Sequence, residues 1–110
     1  MEEQISFLAE QQKNIGMTLA MDKANREHER WSERAYDYLR SYLHDVSGDF
    51  MGEDVRNYAH ARGLPRPHSA RAWGAVINKA AHDGVIVFVR YAKTVNPTAH
   101  RTPAAVWRKA

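Results

Sequence analysis

Helix-breaking residues divide this chain into short segments, and this division limits its fold more than any other feature. Glycine or proline interrupts the chain at Gly48, across residues 63–67 and at Gly84. Before Gly84 the apolar residues recur at helical spacing, whereas the run over 85–91 is β-branched and aromatic. The sequence therefore predicts several short helices followed by strands, and 110 residues leave room for one compact domain.

The first segment, residues 1–28, is interpreted as a helical extension of a domain that spans residues 29–110. Its apolar positions predict a helix over about residues 4–28. Two arrangements stay open for this helix, packing on its own domain or on a second copy of the chain. The apolar positions are Ile5, Leu8, Ile15 and Leu19.

Capping signals predict three more helices. Ser32 is a suitable N-cap for the second, with Trp31 packed on Tyr36 as a hydrophobic staple. The third is expected over residues 52–62, and the fourth runs from a cap at Ser69 or His68 to about residue 83. The residues assigned to the core here are Trp73, Val76, Ile77 and Ala80, together with Trp107 in the last strand.

Two strands close the sequence, over residues 85–91 and 104–108, with a polar loop over 92–103 between them. This order is that of a winged helix, in which the loop of the hairpin forms the wing. The expected fold class is α+β and mostly α, a helix-turn-helix with a β-hairpin wing and an N-terminal helical extension.

Charge is segregated along the chain. Residues 1–55 carry 6 Lys and Arg against 12 Asp and Glu, whereas residues 56–110 carry 10 against a single acid, Asp83. A half with nine uncompensated positive charges concentrates phosphate polyanions, so a nucleic acid is the expected partner, the alternative being a solvated face that keeps the protein soluble. Together with the winged-helix order, this predicts double-stranded DNA as the partner.

A set of residues between 50 and 108 matches a pattern of residues shared by a group of known proteins. They are Phe50, Glu53, Asp54, Val55, Arg56, Pro67, Arg71, Ala72, Trp73, Gly74, Ala80, Ala81, Gly84, Tyr91, His100, Val106, Trp107 and Arg108, with Trp31 and Ala35 upstream. With this pattern, residues 28 to 108 resemble the winged-helix proteins encoded by bacteriophages and prophages. The resemblance implies a DNA-binding protein of a mobile element in the cytoplasm of a bacterial host. Met51 departs from the pattern, which usually has a Thr or Ser cap there.

The fourth helix is the expected recognition element in the major groove. Opposite its buried stripe it carries a basic and hydrogen-bonding face suited to purine edges, and Ala75 allows close approach. The Ser69 hydroxyl and the free N–H groups at the helix start suit a phosphate. The other contacts of this helix are predicted at Arg71, Asn78, Lys79 and His82.

The loop between the strands is the expected wing, on the DNA backbone or in the minor groove. Arg62 and Arg66 flank the link before the fourth helix and suit backbone phosphates. The predicted wing contacts are Arg90, Lys93, Asn96, His100 and Arg101.

Other functional classes find little support in the residue types. The chain has no cysteine, no pair of histidines at metal-ligand spacing, no glycine-rich phosphate loop and no nucleophile motif. We therefore expect no enzyme activity, no metal and no cofactor. The longest apolar run, residues 85–89, is too short to cross a membrane.

The expected role is regulation, replication or recombination of DNA, and the sequence leaves the choice open. A homodimer through the acidic N-terminal helices also stays open. The alternative is a winged helix that binds protein and inhibits or recruits a host factor.

Overall fold

The computed structural model describes residues 2–93 and 103–110, with side chains from residue 11 onward. In these ranges the chain is α+β and mostly helical, with four helices and one three-stranded antiparallel sheet. The predicted wing residues Asn96, His100 and Arg101 lie outside the described residues. The elements are α1 Glu2–Glu27, α2 Trp31–Asp45, β1 Phe50–Met51, α3 Gly52–Ala61, α4 Arg71–His82, β2 Ile86–Lys93 and β3 Pro103–Lys109.

The start of α2 differs from the prediction that Ser32 is its N-cap. The helix begins at Trp31, after Arg30 with a φ of 52°. The Ser32 N–H donates to Asn25 Oδ1 at 2.8 Å, and Asn25 Nδ2 donates to Ser32 Oγ at 3.0 Å. A side chain from α1 therefore caps α2, so this cap depends on a contact that local sequence rules do not include.

The C-terminal ends of α3 and α4 agree with the prediction. Gly63 and Gly84 follow the two helices with φ of 105° and 76°. Behind α4, the Gly84 and Val85 N–H groups donate to carbonyls of the last turn, as in a Schellman motif. At the other end of α4, the N-cap position is Ala70 and not Ser69 as predicted, and no side chain makes the cap hydrogen bond. Ser69, one residue earlier, accepts the Arg71 N–H through Oγ at 3.2 Å.

Two tryptophans and a histidine fix α3 and α4 against α2. Trp31 and Trp73 are buried and meet edge to face, with ring centroids 5.4 Å apart. The Trp73 Nε1–H donates to His60 Nε2 at 3.0 Å, and the His60 Nδ1–H donates to the Leu64 carbonyl at 2.8 Å. His60 is therefore neutral with its proton on Nδ1 in this arrangement. The core assignment of Trp73 is confirmed, whereas Trp107 is only partly buried.

The sheet has the strand order β1-β3-β2. β3 pairs on one side with β2 along its length and on the other with β1, where Phe50 lies opposite Trp107. The pairing of β2 is interrupted between Phe88 and Arg90 by a bulge. The sequence analysis missed β1, because two residues are too few to show an alternating pattern.

The helix α1 is present as predicted, but it packs through a different face. Met17 and Ala24 are buried, whereas Ile15 and Leu19 are 55% and 62% exposed. Small residues at intervals of four, at positions 16, 20 and 24, let the backbone of α1 lie close to α4. The side chains of Ile5 and Leu8 are outside the described part. In the described part of the chain, we find no helix with an apolar stretch that could span a bilayer.

Candidate nucleic-acid interface

The predicted recognition face of α4 is crossed by α1. Arg71, Asn78 and His82 are exposed, but Asn78 Nδ2 is 3.9 Å from the Met17 sulfur. Gly74 is so close to α1 that a Cβ added to it would overlap the same sulfur. Of all helix pairs, α1 and α4 make the most extensive contact. The polar side chains of α4 therefore reach solvent beside α1, and they do not form an open face of the helix.

The position of α1 bears on the prediction that Ala75 allows close approach of DNA to α4, a prediction that the structure does not test. Ala75 is half-buried, and the space beside Gly74 holds Met17. The major groove is about 12 Å wide and accommodates one helix, whose own diameter with side chains is about 10–12 Å. A packed pair of helices is wider than this, so α1 and α4 do not fit into the groove together.

Lys79 is exposed, but it forms an ion pair with a carboxylate of the same chain. Its Nζ donates to Asp83 Oδ2 at 3.0 Å, and the Tyr36 hydroxyl donates to the same oxygen at 2.8 Å. These two donors hold the pKa of the Asp83 carboxyl below its usual value, and the carboxylate raises the pKa of Lys79. Asp83, the single acid of the basic half, therefore neutralises a predicted DNA contact and ties α4 to α2.

The three predicted phosphate contacts between α3 and α4, at Arg62, Arg66 and Ser69, differ in how freely their side chains can bind a phosphate. The Arg62 guanidinium lies 3.5 Å from the centroid of the Tyr58 ring and donates to the Tyr58 carbonyl. Arg66 is exposed. An oxygen lone pair of Ser69 accepts the Arg71 N–H, and the Ser69 hydroxyl hydrogen remains a donor.

The hairpin of β2 and β3 carries four described cations. Arg90 and Arg108 both donate to Asp49, at 3.1 Å and 2.9 Å. The two arginines, Arg108 first, hold the pKa of Asp49 below its usual value. Lys93 and Lys109 are exposed near opposite ends of the hairpin. Arg90 is thus part of an ion cluster with one net positive charge.

An exposed aromatic cluster on the hairpin was missed by the sequence analysis. Tyr91 is 70% exposed and Phe88 is 49% exposed, with ring centroids 4.9 Å apart. The Trp107 ring lies 5.9 Å from that of Phe88. Phe88 lies opposite Trp107, which in turn lies opposite the buried Phe50, so Phe88 is on the same face of the sheet as the core. The alternation of the strand therefore predicts burial for Phe88, and the sequence carries no local signal for its exposure.

A groove of about 850 Å³ lies between α1, the start of α3, the start of α4 and β3. Trp107 lines this groove and also belongs to the aromatic cluster, so the groove and the hairpin form one continuous surface. Three cations and one acid with described side chains line the groove: Lys13, Arg56, Arg71 and Glu53.

No cluster of three or more potential metal ligands occurs within residues 11–93 and 103–110. Comparisons with protein-family models, curated proteins and solved structures found no match to this chain. The geometry and the charge of the described surface are therefore the observations from which a function is inferred.

Proposed function

We propose that this chain is a winged-helix protein that binds DNA through the cationic groove and the hairpin. The element order supports the winged-helix assignment, since three helices precede a hairpin whose second strand pairs with a short strand before α3. In this proposal α2, α3 and α4 are the three helices of the domain, and α1 is an extension that covers α4.

The observation that carries the proposal is that several cations of this surface form no ion pair with a described side chain. Arg56 and Arg71 in the groove and Lys93 on the hairpin have no carboxylate within ion-pair distance among the described side chains. Cations without an internal partner are available to neutralise phosphates and release counterions. Backbone phosphates are the expected first contact, because Met17 of α1 packs beside Gly74 and Asn78 and restricts the approach of this part of α4 to base edges.

Binding of a random duplex DNA pool at several salt concentrations tests this proposal. The test variant is Arg56→Ala with Arg71→Ala, and the matched control is Arg34→Ala with Arg40→Ala, two exposed arginines of α2. We expect the wild type to lose affinity steeply with salt. Loss of two phosphate contacts lowers the slope of log K against log salt by about 2.

Two results would contradict the proposal. One is the absence of binding at low salt. The other is an equal loss in the control pair, because the effect would then reflect net charge and not the groove. Sequencing of the bound pool reports whether any base sequence is enriched.

A second candidate function is recognition of a host protein, and the outer face of α1 favours it. Ile15 and Leu19 expose apolar side chains on the acidic half of the chain. A partner captured through this face would bind with weak salt dependence, and Leu19→Ser would reduce capture whereas Arg71→Ala would not. Origin from a phage or prophage, and a role in regulation, replication or recombination, remain predictions from the sequence.

A further inference from the structure

The aromatic pair on the hairpin is created by an irregularity in β2. Phe88 and Tyr91 are three residues apart, and in a regular strand such residues point to opposite faces. The bulge between Phe88 and Arg90 adds one residue to β2, so the side chains of Phe88 and Tyr91 point to the same face of the sheet. The two rings therefore meet, with their planes inclined at 58°. The bulge accounts for an exposed aromatic surface that the alternation of the strand alone would not produce.

The surroundings of this pair are positively charged. Residues 84–110 contain five Lys and Arg and no acid. Asp49, which contacts Arg90 and Arg108, balances only one of these two arginines. Exposed rings among uncompensated cations are the combination that binds single-stranded nucleic acid, since every base has a face for stacking and every linkage has a phosphate.

We propose that Tyr91 and Phe88 form a stacking site for unpaired bases, so that the hairpin binds single-stranded DNA. This inference rests on the proposed function, namely that the surface binds DNA, and it adds the substrate class. Bases within a duplex are already stacked on their neighbours, so side chains on a strand face reach them only where pairing is open. Trp107 beside Phe88 connects this site to the cationic groove.

The test compares two fluorescent single strands of equal length, oligothymidylate and an abasic strand with the same phosphates. Binding is measured by anisotropy for the wild type, Tyr91→Ala, Tyr91→Phe and Phe88→Ala. The matched control is Val87→Ala, which removes an exposed apolar residue of the same strand without removing a ring.

We expect the wild type to bind oligothymidylate more tightly than the abasic strand. Tyr91→Ala should weaken oligothymidylate binding about fivefold or more, the loss typical of one stacked base. It should leave binding of the abasic strand unchanged. Tyr91→Phe and Val87→Ala should both bind like the wild type, since Tyr91→Phe keeps the aromatic ring and Val87→Ala removes none.

Equal affinity for the two strands would overturn the inference, and so would wild-type affinity in Tyr91→Ala. Self-association that Tyr91→Ala abolishes would overturn it as well, because the rings would then be covered by a second copy. Tyr91→Ala decides the test if Phe88→Ala fails to fold, as shown by circular dichroism. Duplex binding without base dependence would reject this site alone, whereas no binding of any probe at low salt would also reject the proposed function.

Discussion

The helix α4 and the hairpin of β2 and β3 show opposite relations between residue type and accessibility. α4 has arginine, asparagine and small residues on its outer face, which is typical of a recognition helix, yet α1 packs against Gly74 and occupies part of that face. The hairpin begins with an apolar run typical of a core strand, yet Phe88 and Tyr91 are exposed. The comparison shows that residue type indicates what a surface can bind, while packing determines whether the surface is free.

The two regions also differ in how firmly they are held. α4 is fixed by its buried stripe on one side and by α1 on the other, whereas the sheet is covered by helices on one side.

Truncating the anchor of α4 should cost far more stability than truncating the exposed ring of the hairpin. Trp73→Ala removes a buried side chain and the hydrogen bond to His60, with an expected loss of about 3–5 kcal/mol. Tyr91→Ala should change the free energy of unfolding by less than about 0.5 kcal/mol. Urea denaturation measures both. A comparable loss in Tyr91→Ala would show that the hairpin face is covered.

The contact between α1 and α4 should not tolerate a larger residue at position 74. Gly74→Val forces side-chain atoms into the space of the Met17 sulfur and should destabilise the protein by about 1–3 kcal/mol. Adding Met17→Ala should recover part of this loss, because it vacates that space. Leu19→Ala on the exposed side of α1 is the control, and a loss there equal to that of Gly74→Val would place the packed face of α1 elsewhere.

Removing the acid from the hairpin cluster should raise affinity for DNA. Asp49→Asn releases Arg90 and Arg108 from their ion pairs and should strengthen binding up to about fivefold at low salt. Asp45→Asn changes the net charge equally on α2, where Asp45 accepts from Tyr58, and serves as the control. An equal gain in both variants would mean that net charge alone matters.

The Asp49 carboxylate should also make the stability of the folded protein depend on pH. Because its pKa is lowered in the folded protein, its contribution to stability is complete above the usual carboxyl value and is lost as the pH falls through the lowered one. Below about pH 4, wild-type stability should therefore fall more steeply than that of Asp49→Asn. Denaturation curves at successive pH values would show parallel declines if the ion cluster did not form.

A covalent lock on α1 should have the smallest effect on DNA binding. The chain has no cysteine, and a Cβ at position 74 would lie 3.1 Å from Met17 Cγ, so Met17→Cys with Gly74→Cys is suited to a disulfide. We expect the oxidised variant to bind duplex DNA within about twofold of the reduced one, because the groove and the hairpin stay free. Loss of binding on oxidation, restored by reductant, would show that α4 binds DNA after α1 leaves.

The sequence alone determined the helix ends at Gly63 and Gly84, the buried stripe of α4 and the segregation of charge, because each depends on local spacing or on composition. It did not determine the cap of α2 by Asn25, the contact of Met17 with Gly74 or the pairing of β1 with β3. These depend on residues far apart in the chain. Only the tertiary structure decided that α1 packs on α4 and that Phe88 and Tyr91 are exposed, because burial depends on which surfaces meet.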